Sequence, residues 1–324
     1  MASSGGGSLL SFVARRLLIT IPLLLLISFG VFCLVLIIPG DPAVTLAGGA
    51  KANLHQIALI RHQLHLDEPF WKQYLRWLNG LLHGNLGNSL FMQTQSVASQ
   101  LRVRFPVTLS IAIGGMFFSV LLGLPAGIIS GIRQGTIEDR SVTVGSSLGV
   151  AVPDFWLAIM LVTIFAVDLH WLPALGYVPF TQSPLSWADH LLLPWIALGL
   201  GGAATIARQV RGAMIDTLDQ DYMRTARAKG LSHSAVIYKH ALKNALTPAV
   251  TVIGISFGYL LGGTVIIEQI FSLPGIGAYA LQAINDKDLP VIQGVVLLTA
   301  VCFVLINLVV DIIYGFLNPK VRLE

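Results

Sequence analysis

The sequence predicts an all-α membrane protein with six transmembrane helices. Its 324 residues are 55% hydrophobic and only 11% charged, whereas about 25% of the residues in a soluble domain are charged. Mean hydropathy is +0.76, and several uncharged runs approach the roughly 20 residues that a helix needs to cross a bilayer. The net charge of +4 is therefore expected to reflect orientation in a membrane rather than affinity for nucleic acid.

The first apolar run, residues 17–38, follows Arg15 and Arg16 and contains no charged residue. A secretory signal peptide has an apolar region of only about 7–15 residues. Because the run is long enough to span a bilayer, we predict a retained first transmembrane helix. Residues 1–16 before it are predicted to form a cytoplasmic tail, whose Ser- and Gly-rich residues 1–8 favour disorder.

Five further runs complete the predicted bundle, and none contains Lys or Arg. Inserting either residue at a helix centre costs roughly 2.5–3.5 kcal/mol. The predicted spans are residues 105–132, 141–167, 191–207, 244–267 and 289–310. Pro125 and Pro153 predict kinks. Glycines at four-residue spacing predict close helix packing, in two series: Gly123, Gly127, Gly131, and Gly254, Gly258, Gly262.

The Lys and Arg residues predict the orientation, since short basic loops stay in the cytoplasm. Residues 208–247 are the most basic connection, with Arg208, Arg211, Arg224, Arg227, Lys229, Lys239 and Lys243. Arg133, Arg140, the amino end and the tail with Lys320 and Arg322 fall on the same side. Both termini are therefore expected in the cytoplasm, with a five-helix core at 105–314, a tail at 315–324 and a long outside loop at 39–104.

The outside loop is long enough to hold a helix of its own. Asp67, Glu68 and Pro69 are typical of a helix start, and Gly84 is placed to end it. Aromatic and leucine side chains recur at helical spacing between them: Phe70, Trp71, Tyr74, Leu75, Leu78, Leu81 and Leu82. This stripe favours an interfacial or packing helix; a surface that helps receive a delivered substrate is the alternative.

A polar, basic stretch at 219–248 interrupts the apolar runs. Residues 225–230 are predicted to be helical, with Gly230 in the left-handed conformation that ends a helix and Ser232 capping the next one. A helix–Gly–helix with few bulky side chains, held between membrane spans, is suited to being bound by a soluble partner.

Enzymatic motifs are absent or misplaced. No G-x-x-x-x-G-K-[ST] sequence occurs, so the chain is not expected to hydrolyse ATP. Gly254, Ser256 and Gly258 match G-x-S-x-G, but that motif requires a strand–turn–helix, and here it lies in a predicted membrane helix. Cys33 and Cys302 sit in apolar runs and predict small buried side chains rather than a disulfide or a metal site.

Four acids lie at or inside the spans, and two of them, Asp154 and Glu268, are predicted as possible pathway residues. Asp154 is the one acid well inside a span, where ionisable groups are usually functional; alternatively it satisfies backbone groups freed at the Pro153 kink. Glu268, Asp286 and Asp288 are placed at outer span ends, where contact with an incoming cation is possible and a solvated loop charge is favoured. An ion-coupled carrier is disfavoured, since it is expected to show more intramembrane charges and an internal repeat.

The basic stretch resembles the cytoplasmic EAA-type loop of bacterial ATP-binding-cassette importer permeases, specifically the dipeptide, oligopeptide and nickel family. The matching residues are Asp221, Tyr222, Met223, Arg224, Thr225, Ala226, Arg227, Ala228, Lys229, Gly230 and Leu231, followed by residues 240–246 and Pro248. Thr225 stands where the generic pattern has Glu, as in the peptide branch. Segments 84–89, 104–109, 267–277 and 311–322 are similar to family signatures in order. The long outside loop resembles the first of the two permease subunits.

The resemblance implies a type I importer in the bacterial cytoplasmic membrane. A second homologous permease, two ATPase subunits and an extracytoplasmic binding protein are the implied partners. ATP and Mg belong to the ATPases, and no cofactor to this chain. Residues 221–230 become the coupling helix seated on an ATPase, where Ala226, Ala228 and Gly230 leave room for docking and Arg224, Arg227 and Lys229 pair with acids, unless those charges serve orientation alone.

Peptides are the cargo that the resemblance implies, with nickel or another small solute as the alternative on the same scaffold. A metal importer is expected to line its spans with His and Met. Met116, Met160 and Met214 are scattered, and the histidines lie outside the predicted spans. The residue pattern therefore favours peptides.

Overall fold

The computed structural model describes residues 9–37, 42–47, 53–91 and 95–317. The predicted disordered end at residues 1–8, together with Lys320 and Arg322 of the predicted tail, lies outside the described residues. Within the described part the regular secondary structure is helical, apart from an isolated bridge between Asn88 and Ser96. The helices are α1 (Leu9–Phe32), α2 (Leu34–Ile37), α3 (Pro42–Leu46), α4 (Leu54–Gln63), α5 (Phe70–Leu82), α6 (Val97–Ile132), α7 (Ile137–Ala151), α8 (Asp154–Leu161), α9 (Pro184–Leu218), α10 (Asp221–Ala228), α11 (His233–Ala235), α12 (Leu242–Ile270), α13 (Ile276–Asp286) and α14 (Leu289–Leu317). Two π-helical segments, Val162–Asp168 and Val236–Ala241, continue α8 and α11.

Five described helical segments are long and apolar enough to cross a membrane, and a bent pair makes a possible sixth. The five are Ala14–Leu36, Val97–Ile132, Pro184–Leu218, His233–Ile270 and Leu289–Ile313. The bent pair, Ile137–Ala151 with Asp154–Asp168, turns by 96°. Pro153 lies in the break and so confirms the predicted kink, whereas α6 continues unbroken through Pro125. An all-helical, multi-pass membrane fold is confirmed.

The helices extend well past the apolar runs that predicted them. α6 begins at Val97, so Arg102 and Arg104, expected in the outside loop, lie in its first turns. α9 runs from Pro184 to Leu218, far beyond the shortest predicted span, and includes Arg208 and Arg211. Hydropathy marks only the part of a helix that suits lipid. Straight-chain polar residues have good helix propensity and prolong the helix into water.

The contacts divide the chain into two compact units. The first consists of Val107–Pro274 and the described parts of Met1–Leu17 and Phe303–Glu324. Its core is built around α9, which packs against α7, α8 and α12. An ion pair between Arg16 and Asp311, with 2.6 Å between Nη1 and Oδ2, also belongs to this unit.

The first glycine series holds α6 against α9, as predicted. A β-carbon at Gly123 would lie 2.5 Å from the carbonyl oxygen of Ala203, and one at Gly127 would lie 2.6 Å from that of Ala207. In the second series, Gly254 and Gly258 face Val310 and Phe303 on α14. A β-carbon at Gly262 would have no described atom within 4 Å, so the predicted packing role of this glycine is wrong within this chain.

The second unit comprises Leu18–Pro106 and Gly275–Cys302. α5 begins after Pro69, and Gly84 follows its end with φ +75°, confirming the predicted helix. Tyr74 and Phe70 of α5 pack against the aromatic rings of α1, and the Tyr74 hydroxyl lies 2.9 Å from Ser28 Oγ. α5 is thus a packing helix, and Trp71, beside its packed face, is exposed.

Asp288 corrects another expectation in this unit. Its carboxylate accepts hydrogen bonds from Ser89 Oγ at 2.5 Å and from the Leu90 amide at 3.2 Å, and the residue is buried. These hydrogen bonds hold the 84–91 segment against Asp288. The favoured expectation of a solvated loop charge is therefore wrong for this residue. Asp286, in contrast, is exposed as predicted.

Candidate functional site

The basic stretch folds as the predicted helix–Gly–helix. α10 spans Asp221–Ala228, and Gly230 follows with φ +77°. The Gly230 amide donates to the Arg227 carbonyl at 3.0 Å, which closes the helix end. Ser232 then caps the next helix by accepting from the Ala235 amide at 3.3 Å. Positive φ favours glycine because it has no β-carbon, so this turn is specified locally by sequence.

α10 has a buried face that anchors it to the first unit. Met223 is fully buried, and Ala226, three residues later, is 8% exposed; both belong to the same apolar core as Met214 of α9 and Ala245 of α12. Residues three apart share one face of a helix. The Tyr222 hydroxyl also accepts a hydrogen bond from Asn244 Nδ2 at 2.8 Å. Together these contacts hold α10 against α12 and the π-helical segment Val236–Ala241, which itself packs on α9.

The opposite face of α10 is open to solvent. Its exposed members include almost all the predicted coupling residues: Asp221, Tyr222, Arg224, Thr225, Arg227, Ala228, Lys229 and Gly230. Ala226 is the exception, because it faces the core of its own chain and leaves no room for docking at that position. Arg224 and Asp221 approach to 3.5 Å, but both side chains are largely exposed, and such surface pairs contribute little stability.

A buried ion pair lies near the end of α9 that leads to α10, and the sequence pattern did not predict it. Arg211 binds the carboxylate of Asp139, which sits in the first turn of α7. Ser130 Oγ of α6 donates to Asp139 Oδ1 at 2.5 Å, and the Gly135 amide donates to Oδ2 at 2.9 Å. The backbone amide of Asp139 in turn donates to Oγ1 of Thr136, the residue that caps α7, at 3.5 Å. Asp139 therefore joins α6, α7 and α9.

Asp154 stands at the break of the bent span. It is the first residue of α8, and its side chain is exposed. No described residue donates a hydrogen bond to its carboxylate, so the interpretation that it satisfies backbone groups freed at the kink is wrong. Asp154 lines a cavity of about 410 Å³ between α6, α7, α8 and α9, which is within the usual range for small-molecule sites.

Glu268 is fully buried, and Thr108 Oγ1 of α6 donates to its Oε1 at 2.6 Å. The favoured expectation of a solvated loop charge is therefore wrong. A buried carboxylate needs hydrogen bonds to offset its lost hydration, and Thr108 supplies one of them. Within this chain the contact ties α12 to α6.

Neither a hydrolytic nor a metal centre emerges in the described part of the chain. Ser256 lies inside the continuous helix α12, not at the strand–turn–helix that a nucleophile elbow requires. No group of three or more His, Cys, Asp or Glu side chains is placed to hold a metal ion among the described residues. Cys33 and Cys302 are free thiols and only partly buried.

Comparison with known proteins shows which protein family has this architecture. Residues 123–323 match the family of binding-protein-dependent transport system inner membrane components, and residues 9–112 match the N-terminal family of such membrane components. In solved structures, the chain is similar to the MetNI methionine ABC transporter in its inward-facing form. The TM-score is 0.56 at 21% identity, covering 67% of this chain and 96% of that one, which supports the fold.

Relatives in sequence match nearly end to end. A putative peptide transport system permease protein of Brucella abortus is 41% identical over 314 residues, 97% of this chain and 99% of the relative. A glutathione transport system permease protein of Escherichia coli is 41% identical over 315 residues, with the same coverage of both chains. A di/tripeptide transport system permease protein of Pseudomonas aeruginosa is 40% identical over 334 residues, again with that coverage. These matches confirm the resemblance found in the sequence. The chain belongs to the family of binding-protein-dependent transport system inner membrane components, as a multi-pass permease.

Proposed function

We propose that this chain is a permease subunit of an ATP-driven importer that moves di- and oligopeptides across the bacterial cytoplasmic membrane. The observation that carries the proposal is the near-full-length identity of 40–41% to permeases named for peptides, di/tripeptides and glutathione, glutathione being itself a tripeptide. The exposed face of α10, with its buried anchor, supports the role of an energy-coupling helix.

The proposed topology has six spans, both termini in the cytoplasm and residues 39–104 largely outside. Counting the bent pair as one span allows six crossings. The basic residues around α10 support this orientation through their positive charge. α10 is then available to a soluble protein on the cytoplasmic side.

The proposed partners are a second homologous permease, two ATPase subunits and an extracytoplasmic binding protein. ATP and Mg would be held by the ATPases. The exposed cations Arg224, Arg227 and Lys229 would meet acids of the ATPase, while Ala228 and Gly230 allow close approach of its backbone. Complementary charge of this kind fixes partner and register more than affinity.

The contacts also indicate how a displacement of α10 by the ATPase would reach the bent span formed by α7 and α8. Displacement of α10 would pass to α12 through the Tyr222–Asn244 hydrogen bond, and to α9 through the π-helical segment Val236–Ala241, which packs on both α10 and α9. Arg211 on α9 holds Asp139 on α7, and α7 leads directly to the 96° break before Asp154. A continuous set of packed side chains and hydrogen bonds can carry coupling between distant sites.

The proposal is tested by reconstituting the chain with its partner subunits and binding protein in proteoliposomes. We expect uptake of labelled Ala-Ala that requires ATP and the binding protein. Uptake driven by a proton or sodium gradient without ATP would identify a secondary carrier instead. Uptake of nickel, with no competition by peptides, would assign the alternative cargo.

A further inference from the structure

The cavity at the break between α7 and α8 is lined by residues of four helices, α6 to α9. Its walls are largely small or apolar, including Gly145, Gly149 and Ala204, and Asp154 is the charged residue that lines it. A β-carbon placed on Gly201 would lie 2.8 Å from Asp154 Oδ1. The carboxylate therefore lies directly over the glycine, on the wall formed by α9.

The charge on Asp154 restricts the surroundings that the surface around it can have in a membrane. Ionisable side chains inside membrane spans almost always face a protein interior or a water-filled cavity, because hydrocarbon cannot hydrate them. Asp154 is exposed and has no hydrogen-bond or ion-pair partner among the described residues. The positive end of α8 supports its negative charge, yet it supplies no counterion. The face that carries Asp154 is thus expected to border an aqueous path rather than lipid.

We infer that this cavity is a cation-binding station on the translocation path, in which Asp154 receives the primary ammonium group of a peptide. The inference rests on the proposed function of peptide import and adds a residue-level contact with the cargo. A volume of about 410 Å³ accommodates a small side chain and its neighbouring backbone, within the size range of ligand sites. The apolar walls would receive the uncharged part, and the carboxylate would orient the ammonium end.

The cavity's preference for cations is measurable without any transport. Gly145→Cys in a Cys33→Ser, Cys302→Ser background places a single thiol in the cavity wall, where a β-carbon would meet no atom within 4 Å. The reaction rates of this thiol with aminoethyl methanethiosulfonate, a cation, and with the neutral hydroxyethyl analogue give a selectivity ratio. Asp154→Asn is expected to lower that ratio roughly tenfold, the size of one charge-assisted hydrogen bond.

Two variants control this measurement. Asp154→Glu is expected to retain most of the selectivity because it keeps the charge. Asp168→Asn makes the same change in the same bent span but outside the cavity, and should leave the ratio unchanged. An unchanged ratio in Asp154→Asn would overturn the inference, as would failure of either reagent to reach the cysteine.

Uptake by the reconstituted complex then tests the ligand. Asp154→Asn is expected to raise the KM for Ala-Ala roughly tenfold, while ATP hydrolysis stimulated by the loaded binding protein persists. Competition by Ala-Ala, by N-acetyl-Lys-Ala and by N-acetyl-Ala-Ala distinguishes a terminal ammonium, a side-chain ammonium and no ammonium. Equal KM values for the wild type and Asp154→Asn would overturn the inference even if the protein imports peptides. Absence of peptide uptake by the wild type would instead refute the proposed function, and the thiol measurement would still decide the cavity's charge preference.

Discussion

Arg211 on α9 binds both carboxylate oxygens of Asp139 on α7, Nε donating to Oδ1 at 2.5 Å and Nη2 donating to Oδ2 at 3.0 Å. Planar pairing of a guanidinium with a carboxylate combines strength with fixed geometry. The Asp139 side chain is only 6% exposed and that of Arg211 29%. This contact fixes the start of the bent span relative to the helix that leads to α10.

Arg211→Gln should destabilise the protein, because Asp139 would remain buried without its cation. Removing one partner of a buried pair costs about 3–5 kcal/mol, and we expect roughly the lower end since Arg211 is partly exposed. The matched control is Arg208→Gln, an exposed cation on the same helix. Thermal unfolding in detergent should show a clearly lower Tm for the first variant only; equal Tm values would show that the ion pair adds no stability.

Gly127→Ala should weaken the packing of α6 on α9. The added methyl group would lie 2.6 Å from the Ala207 carbonyl oxygen and 2.8 Å from Val210 Cβ, and overpacking of this kind costs about 1–3 kcal/mol. Gly212→Ala serves as the control, because a β-carbon there meets no atom within 4 Å. The unfolding midpoint in detergent is expected to fall for Gly127→Ala and to stay level or rise for Gly212→Ala. The reverse order would contradict the predicted role of the glycine series.

Gly230→Val should leave the permease inserted in the membrane but impair its hold on the ATPase. The site has open space around it, so the penalty comes from the left-handed backbone, about 1–2 kcal/mol for a residue with a β-carbon. Gly230→Asn is the informative comparison, since Asn tolerates this conformation better. Co-purification of the ATPase should be reduced for Val and largely retained for Asn. Normal uptake and normal ATPase binding in the Val variant would refute a coupling role for this turn.

The orientation is open to a labelling test. Ser232→Cys should react with membrane-impermeant thiol reagents only after cells are opened, because the basic residues around α10 predict a cytoplasmic location. Asn79→Cys, at an exposed position of α5, should react in intact cells, with Cys33 and Cys302 replaced in both variants. Labelling of Ser232→Cys in intact cells would invert the proposed topology.

Features encoded by neighbouring residues are predictable from the sequence, and those that depend on distant residues are not. The Gly230 turn, the Ser232 cap and the Pro153 break follow from residues a few positions apart. Asp139 has its partner 72 positions away. In the sequence, Arg211 looks like one of the basic residues that set the orientation of the chain in the membrane. The first-turn position of Asp139, three residues after Thr136, is the available signal, since this spacing is typical of a capped helix start.

Burial explains the remaining differences. Glu268 and Asp288 border apolar runs and so look like loop charges, yet hydrogen bonds from Thr108 and Ser89, more than a hundred residues away, allow them to be buried. Ala226 is expected on the docking face, but the rotation of α10 is set by Met223 entering the core. Helical periodicity alone does not fix which face meets the chain itself when the residues on both faces are small or polar.

ATP hydrolysis by the purified complex of this chain with its partner subunits decides whether the chain serves a peptide importer. The rate would be compared with the binding protein empty, loaded with peptide, and exposed to nickel. We predict that the peptide-loaded binding protein stimulates hydrolysis above the rate seen with the empty one, and that nickel gives no such increase. ATP hydrolysis that is stimulated by nickel but not by peptides would contradict the proposed function. So would a rate of ATP hydrolysis that does not change when the binding protein is added.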